Sequence, residues 1–326
     1  MLPTLRIAVL AAAVSALLAA CSGDTGTAPA ASTADVAPPQ ADADQGLTAK
    51  LNAYIACFNQ VDARVHTGAG HYTGWMDDPA KGPSGKEATV YAPYDISDHD
   101  MKLCDAPLSG AIAATPALPA LDAAAGRYRD ALMTLQPLSH QVHDYYERQD
   151  HEDDQFAKGK QLHDPLMRAL SSFVEASEAF SAELDAQNDA AQRAQLKVLE
   201  QAEGRTREYY RLAMMLDAKV IVGLLQEDAF DVARATALLE GFNQLSDEAH
   251  AKVADAEPGK LDWNSFETAA EKFRREGKAR VKRVSEKTAY TQMEKGWLDS
   301  PTLAPEGSPG RLLRTYNDLV FQSNRQ

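Results

Sequence analysis

The chain has 326 residues, with 47 acidic against 33 basic side chains and a net formal charge of −14 at pH 7. An acidic protein repels the nucleic-acid backbone, so nucleic acid is not expected among its partners. Length alone suggests about two domains, although one elongated helical bundle can hold this many residues.

Residues 1–20 predict a lipoprotein signal peptide. A short basic start precedes the apolar run Ile7–Leu17 and a group of small residues, which is the pattern of a secretory signal. Leu18-Ala19-Ala20-Cys21 resembles a bacterial lipobox. That resemblance implies cleavage before Cys21, acylation of this residue and therefore a membrane anchor in the cell envelope. By resemblance to enterobacterial lipoprotein sorting, Ser22 rather than an aspartate after the cysteine implies the outer membrane, facing the periplasm. An ordinary secreted protein with a chance cysteine is the alternative.

Residues 21–46 predict a disordered tether. The segment is rich in Ala, Pro, Thr and Asp and contains almost no bulky apolar residue. It cannot bury enough surface to offset the entropy of ordering. The folded part of the chain would therefore stand away from the lipid.

Two cysteines, Cys57 and Cys104, follow Cys21. Thiols in an oxidising periplasm pair, so we predict a disulfide between them. Closing a loop of this length would stabilise the fold by roughly 4 kcal/mol. Two free buried thiols or a thiol-redox pair are the alternatives, but a redox pair usually needs the Cys-x-x-Cys spacing that is absent here.

Residues 47–326 predict one all-α domain, an elongated antiparallel helical bundle with one long disulfide-stapled loop. Helix-forming residues dominate, and no alternating strand pattern of useful length occurs. The expected loop covers about fifty Gly- and Pro-rich residues after the first helix. The helices are expected over Leu47–His66, Pro119–Gln155, Leu162–Gln226 with a break near Gly204, Asp228–Ala256, Trp263–Val284 and Leu312–Gln322, the last of them capped by Ser308-Pro309.

The stretch Asp144–Leu170 carries the densest cluster of ionisable side chains. Gly159 and Pro165 interrupt its apolar pattern, and proline breaks or kinks a helix interior. We therefore expect a kink or corner at about Lys158–Pro165. The apolar residues that follow recur in steps of three and four, as in a coiled coil.

A metal site is one hypothesis for this stretch. His143, Glu147 and His151 are spaced four residues apart, so on a continuous helix they would share a face. A closed zinc site would also need ligands from another helix. A solvated helix face with carboxylates beside His and Lys partners is the favoured alternative.

A second group of candidate binding residues follows in sequence. Asp154 and Lys158 could form an ion pair across one helical turn. Alternatively, Asp153, Lys160 and His163 could sit partly buried in the kink and hold it by hydrogen bonds. A carboxylate acid–base site would need a cleft. The full candidate set is Asp153, Asp154, Lys158, Lys160 and His163.

Two further features have a structural and a functional interpretation. The aromatic residues of the long loop could form a binding surface, but more often such residues seat a loop on a bundle; they are Tyr72, Trp75, Tyr91 and Tyr94. The helix around 272–287 is strongly basic. It could meet anionic headgroups or an acidic partner, form a solvated face, or pair with acidic helices of the same chain.

Three segments resemble the YiiG family of bacterial envelope lipoproteins, which is built around a domain of unknown function. They are KLNAYIACFN at 50–59, YYERQDHEDDQFAKGKQLHDPL at 145–166 and TYNDLV at 315–320. The resemblance spans most of the chain and implies a helical envelope lipoprotein. It supplies no reaction and no catalytic residues.

The favoured hypothesis is a non-enzymatic binding or scaffold protein of the cell envelope. The sequence lacks Gly-x-Ser-x-Gly, a phosphate-binding Gly-rich loop and His-Glu-x-x-His. The expected partners are the membrane, through Cys21, and an envelope protein; no cofactor is expected. The alternatives are metal or small-solute binding at the central cluster, a periplasmic toxin-immunity inhibitor, or an enzyme of unrecognised type using Asp153, Asp154 and His163.

Overall fold

The computed structural model describes residues 39–253, 262–298, 300 and 302–325. Within that part of the chain the regular elements are helices, without a strand, which confirms the predicted all-α class. The expected signal peptide, Cys21 and most of the expected tether lie outside the described residues. The helices are α1 (Pro39–Thr73), α2 (Asp98–Cys104), α3 (Ala106–Ala113), α4 (Pro119–Glu147), α5 (Asp150–Asp153), α6 (Ala157–Glu203), α7 (Arg207–Leu225), α8 (Val232–Lys252), α9 (Asp262–Ser285), α10 (Gln292–Lys295) and α11 (Pro309–Ser323).

The first helix is longer than the sequence suggests. It begins at Pro39, inside the segment expected to be a tether, and continues past His66 to Thr73. The irregular part of the expected loop is therefore confined to residues 74–97 and the short connections around α3. Helix α2 begins with a capping box, in which Ser97 and Asp100 satisfy each other's backbone N–H groups.

The predicted disulfide between Cys57 and Cys104 is confirmed. It joins the middle of α1 to the last residue of α2, and both cysteines are fully buried. Gln60 Nε2 also donates to Asp100 Oδ1 at 2.8 Å. A covalent and a polar contact thus hold α2 against α1.

The chain divides into two compact units, the first ending at Asn188 and the second beginning at Asp189, within α6. The core of the first unit contains a stack of aromatic rings from α1, α4 and α6, with centroids 4.9 to 6.0 Å apart. Such pairs add to the free energy gained by burial alone. The rings belong to Tyr54, Phe58, Tyr128, Phe173 and Phe180.

The second unit has its own core, formed by α7, α8, α9 and α11. Its largest buried side chains include Trp263, Phe266 and Phe273. As predicted, Ser308 caps the last helix by accepting a hydrogen bond from the Arg311 N–H, with Pro309 at the first helical position. None of the helices in the described ranges is both long and apolar enough to cross a membrane.

The predicted corner at Lys158–Pro165 is wrong, whereas the predicted break near Gly204 is confirmed. Helix α6 begins at Ala157 and continues through Pro165. A proline inside a helix forfeits one backbone hydrogen bond, and the packing of the rest of the helix outweighs that loss. Gly204, by contrast, follows Glu203 with φ +74° and ends α6.

Candidate functional site

The true corner between α4 and α6 lies at residues 148–156. Three of its residues have a left-handed backbone, namely Gln149 (φ 61°), Gln155 (φ 55°) and Phe156 (φ 65°). L-residues rarely adopt this conformation, and for a bulky residue it is costly. The Phe156 side chain is buried, and its ring centroid lies 4.9 Å from that of His151. Burial of this ring holds the strained backbone in place.

An aromatic cluster surrounds the corner. Tyr145 and Tyr146 meet edge to face at 4.8 Å, and Trp75 lies 5.7 Å from Tyr146. Trp75 Nε1 also donates to the Tyr91 carbonyl at 2.8 Å, which seats the irregular loop on the cluster. The members of this aromatic cluster are Tyr72, Trp75, Tyr145, Tyr146, His151, Phe156 and His163.

His163 is the one member of the predicted binding set that lies inside the cluster. Its Nε2 is 2.9 Å from the Pro79 carbonyl, and its Nδ1 is 3.0 Å from the Tyr72 hydroxyl. Since a carbonyl only accepts, the neutral ring carries its proton on Nε2 and Nδ1 accepts from Tyr72. A Cβ at Gly82, where φ is +76°, would lie 2.7 Å from the His163 ring. The imidazole therefore ties α6 to the loop.

Asp154, rather than Asp153, is the structural carboxylate of the corner. Its Oδ1 accepts from the Tyr145 hydroxyl at 2.7 Å, and its Oδ2 accepts from the Lys158 N–H at 2.9 Å. Partial burial raises the pKa of Asp154, but these hydrogen bonds outweigh it and hold the pKa below its usual value. Asp154 lies just before α6, so its carboxylate reaches the N–H groups of the first turn.

The remaining predicted binding residues face solvent. Asp153, Lys158 and Lys160 are exposed. Lys158 Nζ lies 5.7 Å from the centroid of the Tyr145 ring, a cation–π position. Of the three side chains expected to hold the kink, only His163 therefore does so. The role expected of Asp153 belongs to its neighbour, because α6 begins earlier than predicted.

The close packing around Gly159 leads to a prediction. A Cβ there would lie 2.6 Å from the Tyr146 hydroxyl oxygen and 3.0 Å from Tyr145 Cε1. We expect Gly159→Ala to destabilise the first unit by about 1–2 kcal/mol, because overpacking exceeds the gain in helix propensity. Gly126 in α4 has no atom within 4 Å of its Cβ position, so Gly126→Ala should stabilise the same unit. Equal effects in urea unfolding would contradict the packing account.

The three predicted metal ligands do not share a helix face. Helix α4 ends at Glu147, and the left-handed Gln149 turns the chain before His151. His143 Nδ1 lies 2.8 Å from the Pro93 carbonyl, Glu147 is exposed, and His151 is buried among aromatic rings. Among the described residues, no three or more His, Cys, Asp or Glu side chains are placed to hold a metal ion.

The motif at 50–59 contains a buried ion pair that the sequence analysis missed. Lys50 Nζ donates to the carbonyls of Ala114 and Pro116, at 2.9 and 3.0 Å, and to Asp122 Oδ2 at 2.9 Å. These three acceptors satisfy its three N–H groups. Tyr54, one helical turn later, donates to Asp122 Oδ1 at 2.7 Å. Lys50 and Tyr54 thus hold the start of α4 against α1; only their i,i+4 spacing hinted at a shared role.

A second missed cluster lies in the core of the first unit. Ser177 Oγ donates to Asp62 Oδ1 at 2.5 Å, and the Tyr128 hydroxyl donates to the same oxygen at 3.5 Å. His66 Nε2 lies 3.7 Å from Asp62 Oδ2 and 3.4 Å from Ser177 Oγ. Because the serine and the carboxylate approach the same ring nitrogen, this is not the relay geometry of a catalytic triad. The cluster is a buried polar network.

Asp62 gives this network a pH dependence. Burial raises the pKa of Asp62, although hydrogen bonds and the neighbouring His66 oppose the shift. A carboxyl whose pKa is higher in the folded state binds its proton more tightly there, so it costs stability as pH rises through the folded pKa.

We therefore expect the stability of Asp62→Asn relative to wild type to increase from pH 4 to pH 8. The asparagine oxygen can still accept from Ser177 and Tyr128 while avoiding the buried charge. Hydrogen exchange of peptides from α1 and α6 at several pH values measures this difference locally. A constant difference over the range would show that Asp62 titrates normally.

Two cations of the basic helix, α9, contact other residues of the second unit. Arg280 is buried and donates to the carbonyls of Leu225 and Glu227. Arg274 pairs with Asp247 at 2.9 Å and with Glu271 at 3.1 Å. Arg274 and Arg280 therefore bind groups of the same chain, which is one of the three interpretations that the sequence left open for this helix.

These features define an all-α protein of two helical units, the first closed by a disulfide. A family model described as "Protein of unknown function (DUF3829)" matches residues 45–325. The chain is 33% identical over 290 residues to "Uncharacterized protein YiiG" of Escherichia coli (strain K12), covering 88% of this chain and 81% of that protein. No solved structure matches it. The chain belongs to the YiiG family of proteins of unknown function, as its sequence motifs predicted.

Proposed function

We propose that this chain is a lipid-anchored, non-enzymatic binding or scaffold protein of the cell envelope, facing the periplasm. The disulfide between α1 and α2 is the observation that best supports the proposed location. Stable disulfides are typical of oxidising compartments such as the periplasm. The lipobox-like Leu18-Ala19-Ala20-Cys21 supports the anchor.

The contacts of the central cluster favour a binding or scaffold role over catalysis there. Both ring nitrogens of His163 and both carboxylate oxygens of Asp154 are engaged by partners within the first unit. These groups stabilise the corner and its loop. On this account the binding surface lies elsewhere on the molecule.

Fatty-acid labelling in bacteria tests the anchor. Cells expressing the full chain grow with an alkyne-bearing palmitate, and the purified protein is then coupled to a fluorophore. Wild type should carry the label and Cys21→Ser should lose it. The pair Cys57→Ala with Cys104→Ala is the matched control, because it removes cysteines expected to hold no lipid. An unlabelled wild-type chain, exported and disulfide-bonded, would contradict the proposal.

A further inference from the structure

A cleft of about 550 Å³ opens between α9 and α11 in the second unit. Its size is that of a small-molecule site. Four cations line it, two from each helix: Lys272 and Arg275 from α9, and Arg311 and Arg314 from α11. Steps of three along both helices turn these side chains toward the same space.

Two of the three carboxylates that line the cleft, those of Glu276 and Asp318, have partners of their own. Glu276 Oε1 accepts from the Gly307 N–H at 2.5 Å, and its Oε2 lies 3.1 Å from Arg311 Nε. Asp318 Oδ2 lies 3.5 Å from Lys272 Nζ. Glu276 is 5% exposed, so this pairing forms a buried floor that orients Arg311.

Two further arginines line the cleft, Arg275 and Arg314. Arg314 Nη1 donates to the Thr302 carbonyl, which fixes its position. Arg275 is exposed, and within the described part of the chain it forms no ion pair. Thr302, which holds Arg314, is followed by Leu303. The Leu303 side chain is apolar and 57% exposed.

We propose that this cleft binds a phosphate-bearing anion. Guanidinium forks match phosphate oxygens and donate two hydrogen bonds to them. The lining carboxylates Glu306 and Asp318 would accept from hydroxyl or ammonium groups carried by the same ligand. Two sources share this chemistry, a soluble phosphate ester and a phospholipid headgroup. The inference deepens the proposed binding role and supplies it with a site.

Calorimetric titration of the purified full chain at low salt tests the site, with inorganic phosphate and glycerol 3-phosphate as probes. We expect binding to wild type, weakened about tenfold or more in Arg275→Gln through loss of a charge-assisted contact. Lys278→Gln is the matched control, because Lys278 is an exposed cation of the same helix outside the cleft. It should bind as wild type does. Equal weakening in both variants would mean unspecific attraction and would overturn the site.

A vesicle arm separates the two sources. It uses the full chain with Cys21→Ser, so that no lipid anchor carries the protein to the bilayer. Binding to phosphatidylglycerol but not phosphatidylcholine vesicles, lost on adding Arg275→Gln, would assign the site to a headgroup. Binding of glycerol 3-phosphate without vesicle binding would assign it to a soluble ester. If wild type binds neither the soluble probes nor the vesicles, the inference fails.

Failure of this inference and failure of the proposed function are distinguishable. The titration does not depend on acylation, and the palmitate label does not depend on the cleft. If the chain is unlabelled but still binds phosphate, the proposed site stands and the proposed lipid anchor is wrong. If the chain is labelled but binds no probe, the proposed anchor stands and the proposed site is wrong.

Discussion

Replacing Lys50 by methionine should destabilise the first unit by about 3–5 kcal/mol, because it leaves a largely buried carboxylate without its cation. The Lys50 side chain is completely buried and its partner Asp122 is 14% exposed. The substitution also removes the donor for two backbone carbonyls. Methionine fills a similar volume, so the loss measures the polar contacts rather than a cavity. Hydrogen exchange of α1 and α4 peptides reports it.

Lys81→Met is the matched control for this prediction. Lys81 lies 2.9 Å from Asp78 in the same unit, but its side chain is 83% exposed. Water screens an exposed ion pair, so the pair contributes little to stability and the control should unfold almost as wild type does. Similar losses in the two variants would mean that burial does not set the strength of the Lys50 pair.

Removing the disulfide should destabilise the first unit by about 4 kcal/mol, through the entropy regained by the unfolded chain. Cys57 and Cys104 are 47 residues apart, and the bond closes the loop that seats on the aromatic cluster. We expect Cys57→Ala with Cys104→Ala to lower the urea midpoint of the first unit. The loss should appear in exchange from α1 and α2 peptides, while α8 and α9 peptides remain as in wild type.

Reduction of the wild-type protein gives an independent check on the same quantity. A thiol reductant should reproduce most of the effect of the double substitution and should leave the double variant unchanged. If the reduced and oxidised proteins unfold at the same urea concentration, the disulfide does not stabilise the fold.

Local signals predicted much of the helical architecture. The Ser308-Pro309 cap and the break at Gly204 follow from properties of single residues, and the pairing of the two cysteines follows from the oxidising compartment that the sequence predicts. These features need no knowledge of which helices touch, so sequence alone specifies them.

The corner could not be predicted in the same way. Pro165 gives the stronger local signal, yet the chain turns at Gln149, Gln155 and Phe156, which ordinarily avoid the left-handed backbone. Their conformation depends on burial of the Phe156 ring against residues distant in sequence, among them Trp75. Helix α6 also begins before the predicted Leu162, so Asp154 rather than Asp153 accepts the hydrogen bond from its first turn.

The roles of the motif residues were hidden for a related reason. In the segment 50–59 the sequence shows Lys50 and Tyr54 one turn apart, but their partner Asp122 is about seventy residues away. A lysine on an otherwise apolar helix face is usually solvated, so nothing local marks this one as buried. Whether such a lysine is buried or solvated depends on its tertiary contacts.

Photo-cross-linking in living cells tests the central claim, that this is a binding protein of the envelope, most directly. A photoreactive residue replaces Thr315 in the lining of the cleft or Tyr91 on the exposed loop, and Val198 on α6 serves as an exposed control. The account predicts a defined adduct from at least one of the first two positions and none from the control, identified by mass spectrometry. Absence of adducts at both positions, or the same products from Val198, would contradict it.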